Sequence, residues 1–160
     1  MLIRDVADAD LDALWAINEA NVPNVGSVDR IRFAALAREA VIALAVVVDD
    51  RLVGFTFVFA PGAEYDSENY LWFMEHVPGA YYLDRVAFDA EVQGRGLGRA
   101  LYDEVADRLA RDHSDASALT LEVNVDPPNE QSLRFHRRQG FVEVGRRTSK
   151  GIEVSLMSRP

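Results

Sequence analysis

Residues Glu91 to Val105 read EVQGRGLGRALYDEV. Glycines at positions 94, 96 and 98 alternate with Arg95 and Leu97, and Arg99 follows directly. Glycine costs backbone entropy, so a loop that uses it repeatedly needs left-handed conformations or needs something to come close to its backbone. From Leu97 onward, Leu97, Leu101, Val105 and Leu109 recur at helical spacing, which predicts a helix with one buried stripe. Upstream, YYLDRVAF at Tyr81–Phe88 is apolar and aromatic enough for a strand. A strand, a glycine loop and a helix together make an anion site. Successive backbone N–H groups point outward, the helix N-terminus adds roughly half a positive charge, and two arginines reinforce it.

The spacing excludes two common phosphate loops. A dinucleotide fingerprint needs a third glycine where Arg99 stands, and a P-loop needs Gly-Lys-Ser/Thr, which is absent.

Working outward, Leu2–Arg4 reads as a short strand, and Asp8 as the cap of a helix in which Leu11, Leu14, Trp15 and Asn18 share a face up to Pro23. Ser27 is the expected cap of a second helix, in which Val28, Ile31 and Ala35 recur at helical spacing up to about Ala40. Val41–Val48 and Leu52–Ala60 read as a hairpin. Pro61–Ala80 is long and aromatic and has room for one short helix. Leu119–Val125 alternates, with Thr120, Glu122 and Asn124 on its less apolar face. Asn129 is an N-cap, Gly140 stops the short helix that follows, and a last hairpin turns at Lys150-Gly151. Pairs at i,i+4 are expected on the long helix: Arg99 with Asp103, Glu104 with Arg108, Asp107 with Arg111. The order of elements predicts a single α/β domain over residues 1–160, with a mixed, mainly antiparallel sheet flanked by helices.

The bulk composition narrows the chemistry. With 160 residues, 49% hydrophobic and 27% charged, the chain can bury a core without metals or crosslinks. No cysteine is present, so disulfides, thiolate metal sites and a cysteine nucleophile are excluded, and three scattered histidines make no metal motif. A net charge of −9 argues against non-specific nucleic-acid binding. No signal peptide or membrane-length apolar run is seen, so a cytoplasmic protein is expected, with no membrane partner. A homodimer is compatible with the chain.

A second motif starts at Asn129: NEQSLRFHRRQGFVEVG. Together with QGRGLG at Gln93–Gly98 it resembles the GNAT-type N-acetyltransferases, specifically so from about Tyr81 to Val144 and by element order alone upstream. The resemblance implies a GNAT-like sheet with splayed central strands and binding of acetyl-CoA. It places the pyrophosphate of coenzyme A on the amides of Gly94, Arg95, Gly96, Leu97, Gly98 and Arg99. The pantetheine arm would lie along Val86, Ala87 and Phe88, and Asn129 would touch the cofactor from the other wall or serve only as a cap.

The reaction implied is direct attack of a primary amine, on a small molecule or a protein, upon the thioester. That needs a free nitrogen, a stabilised oxyanion and a leaving thiolate, but no enzyme nucleophile. The amides near Ala87 and Phe88 fit the carbonyl oxygen. Glu122 is the first candidate base and matches a catalytic carboxylate of some ribosomal-protein members; Asp84 is the alternative, with a salt bridge to an arginine other than the opposite-facing Arg85 as its structural reading. His136 stands where many members of the superfamily carry a tyrosine that protonates the thiolate. It could act as imidazolium or as a neutral hydrogen-bond donor. Aromatic and acidic residues of Glu64–His76, with Asn18 and Asn21, could shape an amine pocket. The rival reading is a catalytically silent acyl-CoA-binding or interaction module of the same fold.

Overall fold

The computed structural model describes residues 1–160. Seven strands, β1 (Leu2–Asp5), β2 (Ile42–Val48), β3 (Arg51–Phe59), β4 (Tyr81–Phe88), β5 (Leu119–Asp126), β6 (Val142–Ser149) and β7 (Ile152–Arg159), hydrogen-bond in the order β1-β2-β3-β4-β5-β7-β6. The registered strand pairs are antiparallel except β4 with β5, so the sheet is mixed and mainly antiparallel as expected. No helix is long and apolar enough to cross a membrane. The chain forms two compact units, Met1–Phe59 with Asp84–Ser114, and Ala60–Leu83 with Asp115–Pro160, so strand β4 (Tyr81–Phe88) contributes to both.

The first unit holds β1 (Leu2–Asp5), α1 (Leu11–Ala20), α2 (Arg30–Glu39), β2 (Ile42–Val48), β3 (Arg51–Phe59) and α4 (Leu97–Asp112), with the second half of β4. Strands β2 and β3 close on Asp49-Asp50, whose φ values of 50° and 60° give the mirror-type turn that matches strand twist. Seven consecutive residues of β3, Val53 to Phe59, are buried, as expected of a strand covered on both faces. Helices α1 and α2 pack on β3, and Phe33 sits 5.3 Å from Phe55 and 5.1 Å from Phe57, ring centre to ring centre.

Three local expectations are corrected here. The cap of α2 is Asp29, which accepts the Arg32 N–H at 2.7 Å, while Ser27 donates its hydroxyl to Glu19. The buried face is therefore Phe33 and Leu36, and Ile31 is 85% exposed. Phe33, the helix's one aromatic side chain, lies in the core. The start of α1 is organised by Asp10 rather than Asp8: its carboxylate takes two bonds from Arg4, at 2.7 and 3.0 Å, and one from the Ala7 N–H at 2.7 Å. On α4 the Glu104–Arg108 pair forms at 2.8 Å, but Arg111 pairs with Asp112 instead of Asp107.

The second unit holds α3 (Glu68–His76), β5 (Leu119–Asp126), α5 (Glu130–Arg138), β6 (Val142–Ser149) and β7 (Ile152–Arg159), with the first residues of β4. Its β6–β7 hairpin turns at Lys150-Gly151, both left-handed. The parallel register of β4 with β5 consists of Tyr81↔Leu119 and Tyr82↔Thr120. Strand β5 remains paired on its other side to β7 as far as Asp126.

Candidate functional site

In the first unit, β4 leads into a short 3-10 turn at Ala90–Val92, capped by Asp89, and then into the glycine loop. Gly94 and Gly96 have φ of 82° and 76°, the left-handed region that disfavours other residues. No protein atom lies within 4 Å of where a Cβ would project at either position. These glycines therefore serve backbone shape and are not crowded by the protein. Gly98 is helical, in the first turn of α4.

The start of α4 differs from those of α2, α3 and α5. Asp29, Ser67 and Asn129 cap α2, α3 and α5 with side-chain oxygens, but Gly96 has none to offer. The first N–H groups of a helix have no partner within it and are satisfied by a cap, by water or by a ligand. The acids nearby are otherwise engaged: Arg51 pairs with Glu91 at 3.0 Å and with Asp89 at 3.8 Å. Arg95 and Arg99 are exposed beside the open helix start.

The second half of β4 is fixed by its neighbours. A Cβ on Gly54 of β3 would lie 2.4 Å from the Phe88 ring, so only glycine lets Phe88 lie across β3. The Phe88 carbonyl accepts the Asn21 amide at 3.0 Å, and the Arg85 carbonyl accepts the Thr56 hydroxyl at 2.9 Å. Val86 is half-buried and Ala87 buried.

Asp84 forms a buried ion pair with its neighbour, Arg85 Nε to Asp84 Oδ2 at 2.9 Å, with side-chain exposures of 8% and 5%. This corrects the expectation that Arg85 faces away from it. Arg85 also donates to Asn18 Oδ1 at 3.0 Å and to the Gly26 carbonyl at 3.1 Å. Asn18 is fully buried and passes the chain of bonds on to Glu19 at 2.8 Å. The Ser27 hydroxyl, followed by the Asn18 amide and the Val28 N–H, holds the Glu19 carboxyl below its ordinary range. Asn18 and Asn21, expected at a pocket wall, are thus ties that fasten the α1–α2 connection. The sequence reading missed Arg85; a buried arginine on a central strand shows itself only once its partners are in place.

In the second unit, Glu122 is half-buried on β5, and both of its carboxylate oxygens receive the Tyr82 hydroxyl, at 2.6 and 2.8 Å. Tyr82 is wholly buried, among Tyr70 at 5.6 Å, Phe73 at 5.8 Å and Tyr65 at 6.4 Å. The aromatic residues of the 64–76 segment are mostly anchors: Tyr70 and Phe73 are buried, and Trp72 stacks on His76 at 4.1 Å with its ring against Gly145. Glu68 is paired with Arg147 at 3.3 Å.

Asn129 acts as the cap of α5, its Oδ1 accepting the Ser132 N–H at 3.3 Å. His136 is 5% exposed, edge-on to Phe135 and Phe141. Its Nδ1 lies 2.8 Å from the Ser132 carbonyl. A carbonyl only accepts, so Nδ1 carries the proton and the neutral ring has its lone pair on Nε2. Burial pushes the pKa of His136 down to about 4. The expectation of an imidazolium donor near neutral pH is corrected accordingly: with the proton on Nδ1, Nε2 is an acceptor and not a donor.

Comparison with known proteins completes the description. No curated protein matches the chain. Among solved structures, the chain is similar to the ribosomal-protein-S18-alanine N-acetyltransferase of Escherichia coli, at 21% identity over 99% of this chain and 92% of that one, with a TM-score of 0.75. It is similar to Ard1 of Thermoplasma volcanium, at 20% identity over 99% and 95% of the two chains, with a TM-score of 0.77. It is likewise similar to Arabidopsis thaliana NAA60 in complex with acetyl-CoA, at 19% identity over 99% and 98%, with a TM-score of 0.75. At these identities the likeness speaks for the fold. The family model described as the acetyltransferase (GNAT) family matches residues 11–141, most of the chain and parts of both units. The chain belongs to the GNAT family of acetyltransferases.

Proposed function

We propose that the protein is an acetyl-CoA-dependent N-acetyltransferase that moves the acetyl group directly to a primary amine, with residues 1–160 acting as one functional domain. The observation that carries this reading is the start of α4, left-handed at Gly96 and without a side-chain cap, beside Arg95 and Arg99. Backbone N–H groups from Gly94 to Arg99 bind the pyrophosphate, and their partial charges need no side chain to be moved into place. Val86, Ala87 and Phe88 hold the pantetheine arm, and the amides near Ala87 and Phe88 stabilise the thioester oxygen as charge develops on it.

Glu122 takes the proton of the attacking ammonium, directly or through water. The nitrogen then forms the C–N bond, the C–S bond breaks, and the remaining extra proton on nitrogen passes through solvent to the departing thiolate, giving free CoA. A thiol of ordinary pKa, about 8.5, leaves readily as thiolate, so a strong general acid is not required. That suits His136, whose tautomer gives Nε2 no proton to offer. Asp84 is the alternative base, although its bridge to Arg85 accounts for its burial. The acceptor is a small amine or a protein amino group, the latter class supported by the similar Escherichia coli enzyme, whose name states an alanine of ribosomal protein S18. The proposed setting is cytoplasmic.

The test is release of free CoA from acetyl-CoA with amino acids, polyamines, aminoglycosides and peptides. Amine-dependent release is expected for at least one class. One observation favours a second reading, the silent acyl-CoA-binding module: a buried, neutral histidine in place of the usual tyrosine. Tight binding of acetyl-CoA with no release across the panel supports that module instead.

A further inference from the structure

A half-buried carboxylate on a strand can turn its side chain through several staggered states unless something holds it. Glu122 is held. The Tyr82 hydroxyl lies 2.6 Å from Oε2 and 2.8 Å from Oε1, and the shorter distance falls in the range of charge-assisted O–H···O⁻ bonds. The geometry follows from the parallel register. Tyr82 stands beside Thr120 on β5, and Glu122, two residues on, is the diagonal neighbour on the same face. A phenol is long enough to cover that diagonal.

The phenol is fixed in turn. Tyr82 has no exposed surface, and its ring is hemmed in by Tyr70 and Phe73, themselves at 1% and 0% exposure, with Tyr65 on a third side. Tyr70 is anchored by its own hydroxyl, which donates to the Ala60 carbonyl at 2.6 Å and accepts the Ala63 N–H at 3.0 Å. A wholly buried tyrosine could have spent its hydroxyl on a backbone carbonyl, as Tyr70 does. Tyr82 spends it on a carboxylate that solvent reaches.

We infer that Tyr82 is a positioning residue for Glu122, orienting its carboxylate and favouring its ionised form for proton removal from the acceptor amine. The inference rests on the proposed role of Glu122 as base. Tyr82 has no exposed surface, so the role assigned to it is exercised through Glu122.

Two measurements decide it. The first compares steady-state kinetics of wild type, Tyr82→Phe, Glu122→Gln and the double variant. Tyr82→Phe is expected to lower kcat by about tenfold, below the usual contribution of the proton-transferring group itself, with KM for acetyl-CoA within about twofold. In the Glu122→Gln background the same change is expected to cost nothing further. Tyr81→Phe, which removes the neighbouring phenol whose hydroxyl donates to Asp115 at 3.1 Å, is expected to keep wild-type kcat. An unchanged kcat in Tyr82→Phe, or equal losses in both backgrounds, overturns the inference. If Glu122→Gln alone retains full activity, the base assignment fails, and that result is distinct from either.

The second measurement needs no turnover. In protein labelled with 13C at glutamate carboxyls, the Glu122 signal is identified by its loss in Glu122→Gln and followed as a function of pH. Removing a hydrogen bond that favours the charged form moves its titration in Tyr82→Phe to higher pH. The same titration in both proteins overturns the inference whatever the enzyme does with amines.

Discussion

Helices α4 and α5 each carry part of the sequence signature, yet they begin in opposite ways. Asn129 closes the start of α5 with its own side chain, while Gly96 leaves the start of α4 open. The same contrast extends to the groups around them. The first unit offers backbone N–H groups and exposed arginines; the second offers side chains locked by partners, Glu122 by Tyr82 and His136 by Ser132. A site made of backbone depends on φ and tolerates changes in nearby side chains, whereas a site made of side chains stands or falls with single hydrogen bonds. Binding of the cofactor and handling of protons should therefore respond to different mutations.

The largest separable effect is expected at Glu122. Glu122→Gln should lower turnover by up to about a hundredfold, the loss of a general base, with little change in acetyl-CoA affinity. If Asp84→Asn abolishes activity while Glu122→Gln does not, the two roles are exchanged.

Next comes the pH dependence of stability. His136 has a folded pKa of about 4 against an ordinary value of 6.5, so the unfolded chain binds a proton more readily than the folded one. Above pH 6.5 both states are neutral at this residue and nothing is lost. As the pH falls below 6.5 the folded state pays progressively, by about 2 kcal/mol at pH 5, until protonation of the folded form near pH 4 ends the loss. In His136→Phe this part of the decline should vanish. Denaturant melts of both proteins at pH 7 and pH 5 check it, and parallel declines would show that His136 is not the group responsible.

Asn129→Ala should cost about 1 kcal/mol of stability, the usual worth of an N-cap, and leave cofactor affinity nearly unchanged. A fall in affinity at unchanged stability would instead make Asn129 a cofactor contact and blur the contrast between the two helix starts. The smallest effect belongs to Arg99. Arg99→Ala should weaken CoA binding severalfold at low salt and less at high salt, because an exposed charge is screened. A loss that ignores salt would mean a contact other than charge.

The fold was legible where pattern and partner are local. The helix after the glycine loop, the hairpin between Val41–Val48 and Leu52–Ala60 and the cap at Asn129 are each set by residues close in sequence. Where two neighbouring residues compete for one task, as Ser27 and Asp29 did for the cap of α2, tertiary packing of Phe33 decided. The geometry of the candidate site was legible to the same degree. The glycine loop is a backbone feature written in its own residues. Tyr82 and Arg85 are not, since each gains its meaning from partners about 40 and 67 positions away, Glu122 and Asn18. His136 was correctly placed on its helix, but its burial depends on Phe141, which lies beyond the helix.

Calorimetric titration of acetyl-CoA into wild type and Gly96→Glu tests the central claim most directly. The substitution puts a carboxylate at the open start of α4 and forces a side chain onto backbone with φ of 76°, in a place where no protein atom would resist it. Wild type should bind, and a folded Gly96→Glu protein should bind at least about a hundredfold more weakly, through like-charge repulsion at the pyrophosphate and lost backbone freedom. Equal affinity in the two proteins would contradict the account.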